Sequence, residues 1–242
     1  MSVILHHGDY RKKLKHVAAD LIFTSPPYNI GSGGPRKDGF RRQGKYDPKS
    51  FGGITGYPDH LPEREYQKQQ VDFLEWATDH LKPDGVLVYN HKPRRNGHVI
   101  HPCEWMLKAR GLVLMEEVVW DRGSTHNHCS QMLWQQTERL YVFKRPNARY
   151  RFNQLKAKLP DGYRSDVWKI TRPHKNNGHN APFPIELATA VILAWSQPDE
   201  LVCDPYAGSG TVALAAQQLG RNFEGAELIK TYYRKATERI AA

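Results

Sequence analysis

Two short segments carry the residues best suited to chemistry. In Asp20-Leu-Ile-Phe-Thr-Ser-Pro-Pro-Tyr-Asn29 an apolar run stops abruptly at Ser25-Pro26-Pro27-Tyr28. Consecutive prolines remove two main-chain donors and stiffen the turn, leaving carbonyls to accept hydrogen bonds from a ligand. The Pro26 carbonyl beside the Ser25 hydroxyl, with the Tyr28 ring alongside, would be a pair of acceptors next to a stacking surface. A turn that merely closes a strand explains Pro-Pro alone; the apolar strand running into Ser-Pro-Pro-Tyr is what favours chemistry. In Leu201-Val-Cys-Asp-Pro-Tyr-Ala-Gly-Ser-Gly-Thr211 an apolar strand enters a Gly-rich turn and then an Ala-rich helix. In a doubly wound sheet, a nucleotide-like ligand meets the carboxyl end of a strand at such a turn. The segment lacks the lysine of a phosphate-binding loop and the third glycine of the dinucleotide fingerprint, so a neutral or cationic ligand fits better than a phosphate. Sixteen residues beyond Thr211, after the next strand, stands Glu227, an acid placed to bond both hydroxyls of a ribose.

Other reactive residues read more plainly. Cys103, Cys129 and Cys203 are odd in number and form no C-x-x-C pair, which indicates a reducing, cytoplasmic setting, with Cys203 a strand residue rather than a nucleophile. The run His126-Asn-His-Cys129 has no partner pair at ligand spacing, so no metal is expected, and His98 and His101 read the same way.

Short apolar runs alternate with amphipathic stretches along nearly all of the 242 residues. Strands are expected at Val3–Leu5, Leu21–Thr24, Val86–Tyr89, Leu112–Trp120, Leu140–Phe143, Leu201–Cys203 and Phe223–Ala226, and helices at Glu65–His80, Pro102–Ala109, Pro184–Ser196, Thr211–Gln218 and Lys230–Ile240. Alternation of this kind predicts an α/β fold with a doubly wound, mostly parallel sheet of seven strands. The pair Leu112–Trp120 and Leu140–Phe143 has no clear helix between its members and predicts an antiparallel edge hairpin. Gly31–Pro62, with eight glycines and few apolar residues, reads as a long functional loop. The longest apolar helix, Ile185–Trp195, is half the length that crosses a bilayer, and the N-terminus has no secretion signal, so no membrane association is expected.

The net charge of +10 is concentrated. Residues Gly31–Lys49 carry +4, Lys92–Arg95 +3 and Lys144–Lys175 +8, so the remainder of the chain is net acidic. With Trp134, Tyr150, Phe152, Tyr163 and Trp168 nearby, these windows suggest a groove that tracks phosphates, formed by Arg36, Lys37, Arg41, Arg42, Lys45, Lys92, Arg94, Arg95, Arg149, Arg151, Lys156, Lys158 and Arg164.

Taken together, TSPPYN at 24–29 and DPYAGSGT at 204–211, with HHGD at 6–9, HNAPFP at 179–184 and GAEL at 225–228, resemble the amino-directed DNA methyltransferases that use S-adenosylmethionine. The catalytic motif precedes the cofactor motif, as in the beta group, a circular permutation of the usual methyltransferase domain. The resemblance implies Ser25, Pro26, Pro27 and Tyr28 as the catalytic turn. It implies Thr24, Asp204, Pro205, Tyr206, Ala207, Gly208, Ser209, Gly210 and Thr211 around the methionine part of the cofactor and Glu227 at its ribose. Asp9 is implied at the adenine amino group, and Asn180, Pro182 and Phe183 over the cofactor. Tyr206 stands where the family usually has Phe. Ser at the first catalytic position leans to cytosine N4, with adenine N6 the alternative and a noncatalytic DNA-binding subunit a second. The resemblance also implies base flipping, and target recognition by residues 145–175 with help from the 31–62 loop, all within one domain. So compact a reader suggests a short site, loose specificity or a homodimer, and a restriction endonuclease for the same site is an expected partner.

Overall fold

The computed structural model describes residues 1–29, 61–96, 99–124, 133–153, 159–171 and 184–242. The 31–62 loop call therefore falls almost wholly outside the described residues, as do Arg36, Lys37, Arg41, Arg42, Lys45, Lys156, Lys158, Asn180, Pro182, Phe183 and the run His126–Cys129.

Ten strands and five helices are described: β1 (Val3–His7), α1 (Tyr10–Lys13), β2 (Ala19–Thr24), α2 (Glu63–His80), β3 (Leu81–His91), β4 (Arg94–Asn96), β5 (Val99–His101), β6 (Val113–Asp121), β7 (Thr137–Lys144), β8 (Val167–Lys169), α3 (Ile185–Trp195), β9 (Leu201–Asp204), α4 (Thr211–Gln218), β10 (Asn222–Glu227) and α5 (Lys230–Ala241). Eight strands form one sheet in the order β1-β10-β9-β2-β3-β7-β6-β8, while β4 and β5 make a separate ribbon. The expected seven strands are thus eight. β8 pairs in parallel with the carboxyl end of β6, Val119 opposite Val167, so the antiparallel β6–β7 hairpin is covered and is not the edge. With three residues, of which only Trp168 is buried, β8 is too short to show a period in the sequence. The helix expected at Pro102–Ala109 is a 3₁₀ turn, Glu104–Lys108, anchored by buried Trp105 and Met106.

Strand periodicity sorts the core into two layers. Leu21, Phe23, Val86 and Val88 face one way and pack with Leu187 and Val191 of α3 and Val212 of α4. Ile22, Leu87 and Tyr89 face the other way, against Tyr66, Phe73 and Leu74 of α2. Every residue of β2 is buried, which explains its unbroken apolar run.

Chain direction places the site. From β9 the chain winds through α4 to β10 on one side, and from β2 through α2 to β3 on the other, so neighbouring β9 and β2 mark the topological switch point. The crevice beyond their carboxyl ends is where open α/β sheets bind ligands. Because β7 runs antiparallel to β3, with Asn90 opposite Leu140 and His91 opposite Arg139, the first residues of β7 reach the same rim. Among the described residues, no helix is long and apolar enough to cross a membrane.

Candidate active site

The turn after β9 is built around two buried carboxylates. Glu227, at the end of β10, accepts the Gly208 N–H on Oε2 (2.8 Å) and the Ile229 N–H on Oε1 (2.7 Å), which fixes its plane. Gly208 (φ 54°) and Gly210 (φ 79°) lie in the left-handed region, and a Cβ on Gly210 would stand 3.0 Å from the Ala236 Cβ of α5. Asp204 accepts the Tyr206 N–H (3.0 Å) and the Thr24 hydroxyl (2.7 Å) on one oxygen. Burial, with repulsion from Glu227 added, pushes its carboxyl up to about 7. The Tyr206 ring packs on Tyr10 and Phe73. Asp9 follows β1 beside this turn and caps α1, where the Arg11 side chain forks its carboxylate, with Nη2 2.6 Å from Oδ2.

The neighbouring turn, after β2, holds the four residues expected to be catalytic. The Ser25 Oγ lies 3.0 Å from the Tyr28 hydroxyl. That hydroxyl also meets Asn90 Oδ1 at 2.8 Å and Glu138 Oε2 at 3.0 Å. Glu138 and Arg122 form a buried ion pair at 3.0 Å, and the Arg122 guanidinium further donates to the Gln135 and Gln136 carbonyls. On the other side, the Tyr66 hydroxyl of α2 donates to the Pro27 carbonyl (3.0 Å) and sits 2.6 Å from His91 Nε2. Burial holds His91 neutral, its pKa down to about 3, and both contacts of Tyr66 are satisfied when Nε2 carries the ring proton. Asn29 (φ 53°) clasps the Leu61 main chain, accepting its N–H at 2.7 Å and donating to its carbonyl at 2.9 Å.

Asn90, His91, Tyr66, Glu138 and Arg122 were not anticipated. For Asn90 and His91 a signal existed: the apolar run Val86–Tyr89 ends in two polar residues at a strand's carboxyl end. Glu138 and Arg122 reach the site only through antiparallel pairing, which local sequence does not encode.

The described members of the expected basic groove lie in different parts of the sheet. Lys92 lies over the Tyr28 ring, 5.8 Å from its centre, at the catalytic rim. Arg94 is buried, paired with Glu63 at 2.5 Å and stacked 4.2 Å above Tyr66. Arg149 and Arg151 sit at the opposite end of the sheet. The Arg149 N–H donates to Asp84 near the amino end of β3, and Arg151 pairs with Asp20 near the amino end of β2 and with Glu200 just before β9. A strand length therefore separates both from Ser25. Arg95 lies in β4, and Arg164 is exposed just before β8.

The donor set suits a cationic, hydroxyl-bearing cofactor. Two buried carboxylates line the glycine turn without a basic residue in it, and the Ser25–Tyr28 turn adjoins it. A profile of the family described as DNA methylase matches residues 19–238. The chain belongs to the N6/N4 DNA methylase family. It is thus an S-adenosylmethionine-dependent DNA methyltransferase directed at an exocyclic amino group. This methylase is similar to the type II methyltransferase M2.DpnII of Streptococcus pneumoniae, 26% identical over 252 residues that cover 99% of this chain and 90% of that one. Its fold matches TTHA0409 of Thermus thermophilus, solved in complex with S-adenosyl-L-methionine, at a TM-score of 0.70 and 24% identity, covering 99% and 93% of the two chains. It also matches the cytosine-N4-specific PvuII DNA methyltransferase at a TM-score of 0.71 and 20% identity, covering 97% and 85%.

Proposed function

We propose that this methylase acts at a specific DNA sequence and transfers the methyl group to N4 of a cytosine turned out of the duplex. Adenine N6 is the alternative acceptor. The observation that carries the reading is the bond between Thr24 and Asp204, which joins the Ser25 turn to the glycine turn at the switch point. When bound, S-adenosylmethionine supplies an electrophilic methyl on a sulfonium. Glu227 would hold the ribose hydroxyls, the Asp204–Thr211 turn the methionine portion and Asp9 the adenine amino group.

An exocyclic amine is a weak nucleophile because its lone pair is delocalised into the ring. Ser25 shares a hydrogen bond with the Tyr28 hydroxyl, and as its donor Ser25 turns a lone pair toward the amine. The Pro27 carbonyl is taken by Tyr66, whereas among the described residues no group donates to the Pro26 carbonyl. Ser25 and Pro26 thus accept the two amine hydrogens, localise the nitrogen lone pair and stabilise the positive charge that develops on it. The half-buried Tyr28 ring, with Lys92 beside it, supports the flipped base.

DNA is the partner, contacted by Lys92 and by the basic segments 36–45 and 156–158. A restriction endonuclease of matching site, a homodimer and a cytoplasmic location belong to the same reading. Ser25→Ala and Tyr28→Ala are expected to slow methylation by about 10²–10³-fold while cofactor affinity stays within a few-fold. Wild-type turnover in both variants would remove this assignment. A noncatalytic DNA-binding subunit would bind DNA but give no methyl transfer from the intact chain.

A further inference from the structure

The Ser25–Tyr28 turn is held at both ends. Upstream, the Thr24 hydroxyl bonds Asp204 at 2.7 Å. Downstream, the carboxamide of Asn29 grips the main chain of Leu61, 32 positions on: Oδ1 accepts the Leu61 N–H at 2.7 Å and Nδ2 donates to the Leu61 carbonyl at 2.9 Å. This side chain does what a residue of an antiparallel ladder does, exchanging both bonds with one partner residue. Its orientation is unambiguous, because the reverse one would face N–H with N–H and carbonyl with carbonyl. Leu61 is a firm anchor: its side chain packs on the core layer of Tyr66, Phe73 and Leu74, and it immediately precedes Pro62, which opens α2. From the first turn of that helix the Tyr66 hydroxyl returns to the Pro27 carbonyl at 3.0 Å. Asn29 also bends the chain away from Tyr28 with a φ of 53°, in the left-handed region that asparagine tolerates better than most side chains.

We propose that Asn29 is a positioning residue for methyl transfer, whose clasp on Leu61 fixes the Tyr28 end of the turn against α2 and so aims the turn at the methyl group; this rests on the amine-methylation reading above. A carboxamide next to Tyr28 suggests a group that touches substrate, but both of its ends are engaged by Leu61, so it acts through the turn. Ser25 and the Pro26 carbonyl, which receive the amine, lie between the two fixed points, and Pro26 and Pro27 leave the chain between them few free torsions. Opening the clasp frees the downstream end alone. β2 and the Thr24–Asp204 bond keep the cofactor turn in shape, while the acceptor turn loses its aim. A misplacement of about 1 Å can slow an orientation-dependent step roughly 10²-fold. The clasp therefore acts on the rate of transfer and not on cofactor affinity.

The test is single-turnover methyl transfer by the full chain to mixed-sequence DNA at saturating S-adenosylmethionine, with cofactor affinity by calorimetry and melting temperature alongside. Asn29→Gly adopts the left-handed φ freely and deletes both bonds, which separates the clasp from backbone strain. Its rate is expected to fall roughly 10- to 10²-fold while cofactor affinity stays within a few-fold. Asn29→Asp keeps the acceptor for the Leu61 N–H and loses the donor to the Leu61 carbonyl; its rate should also fall, by no more than that of Asn29→Gly. Asn29→Gly at the wild-type rate, whatever its melting temperature, would overturn the proposal. So would parallel losses of rate and cofactor affinity, the mark of a clasp that supports the domain as a whole. If Asn29→Gly does not fold, Asn29→Asp decides: a slower rate with cofactor affinity kept supports the clasp, and the wild-type rate overturns it. Wild-type activity in Ser25→Ala would instead defeat the amine-binding reading beneath it.

Discussion

The Thr24 hydroxyl donates to Asp204 Oδ1 at 2.7 Å, in a fully buried bond between residues 180 positions apart in the chain. Thr24 is the last residue before the Ser25–Tyr28 turn, and Asp204 is the first of the glycine turn. This hydrogen bond extends the pairing of β2 with β9 to the two turns proposed to hold the methyl acceptor and the methyl donor.

Thr24→Val keeps the shape and removes the donor, leaving Asp204 with the Tyr206 N–H as its remaining described partner on that oxygen. A buried acceptor that loses a partner costs about 1–3 kcal/mol. The variant is expected to melt lower and to bind S-adenosylmethionine more weakly, measured by calorimetry. Unchanged values for both would show that the bond does not hold the two turns together.

Burial, with Glu227 adding repulsion, raises the Asp204 carboxyl from an ordinary 3.8 to about 7. The folded chain thus binds a proton that the unfolded chain releases between these values. The stability this group contributes is complete below about 4 and is lost as pH rises through about 7. Asp204→Asn should flatten that part of the stability profile. A cationic cofactor favours the carboxylate, so its affinity should rise with pH up to about 7 and its binding at pH 6 should release protons. Titration calorimetry in buffers of different ionisation enthalpy reads that release.

Lys92 and Arg94 are near neighbours in sequence with opposite surroundings. Lys92→Ala should weaken DNA binding and reduce the slope of log affinity against log salt by roughly one. Arg94→Ala should leave that slope unchanged and lower the melting temperature, because Arg94 is buried on Glu63 and Tyr66. Equal changes in slope for both would contradict the placement of Arg94.

The division between what the sequence shows and what it conceals follows from range. Glycine and proline turns at the ends of apolar runs are local, so Ser25–Tyr28, Asp204–Thr211 and Glu227 could be read directly, as could α4, whose bounds match the expected Thr211–Gln218. Charge windows carry no spatial information: Lys92 and Arg151 both count as +1, yet the strands between them put one beside Tyr28 and the other at the far end of the sheet. Glu138 was invisible for the converse reason. It reads as a surface charge in Thr137-Glu-Arg139 until the antiparallel pairing of β7 with β3 brings it under Tyr28.

Nucleoside mass spectrometry tests the central claim most directly. Mixed-sequence DNA is incubated with the chain and S-adenosylmethionine bearing a deuterated methyl, then digested to nucleosides. The label is expected in N4-methylcytosine; label in N6-methyladenine would keep the site and change the base, and label only at cytosine C5, or none in DNA, would contradict the account.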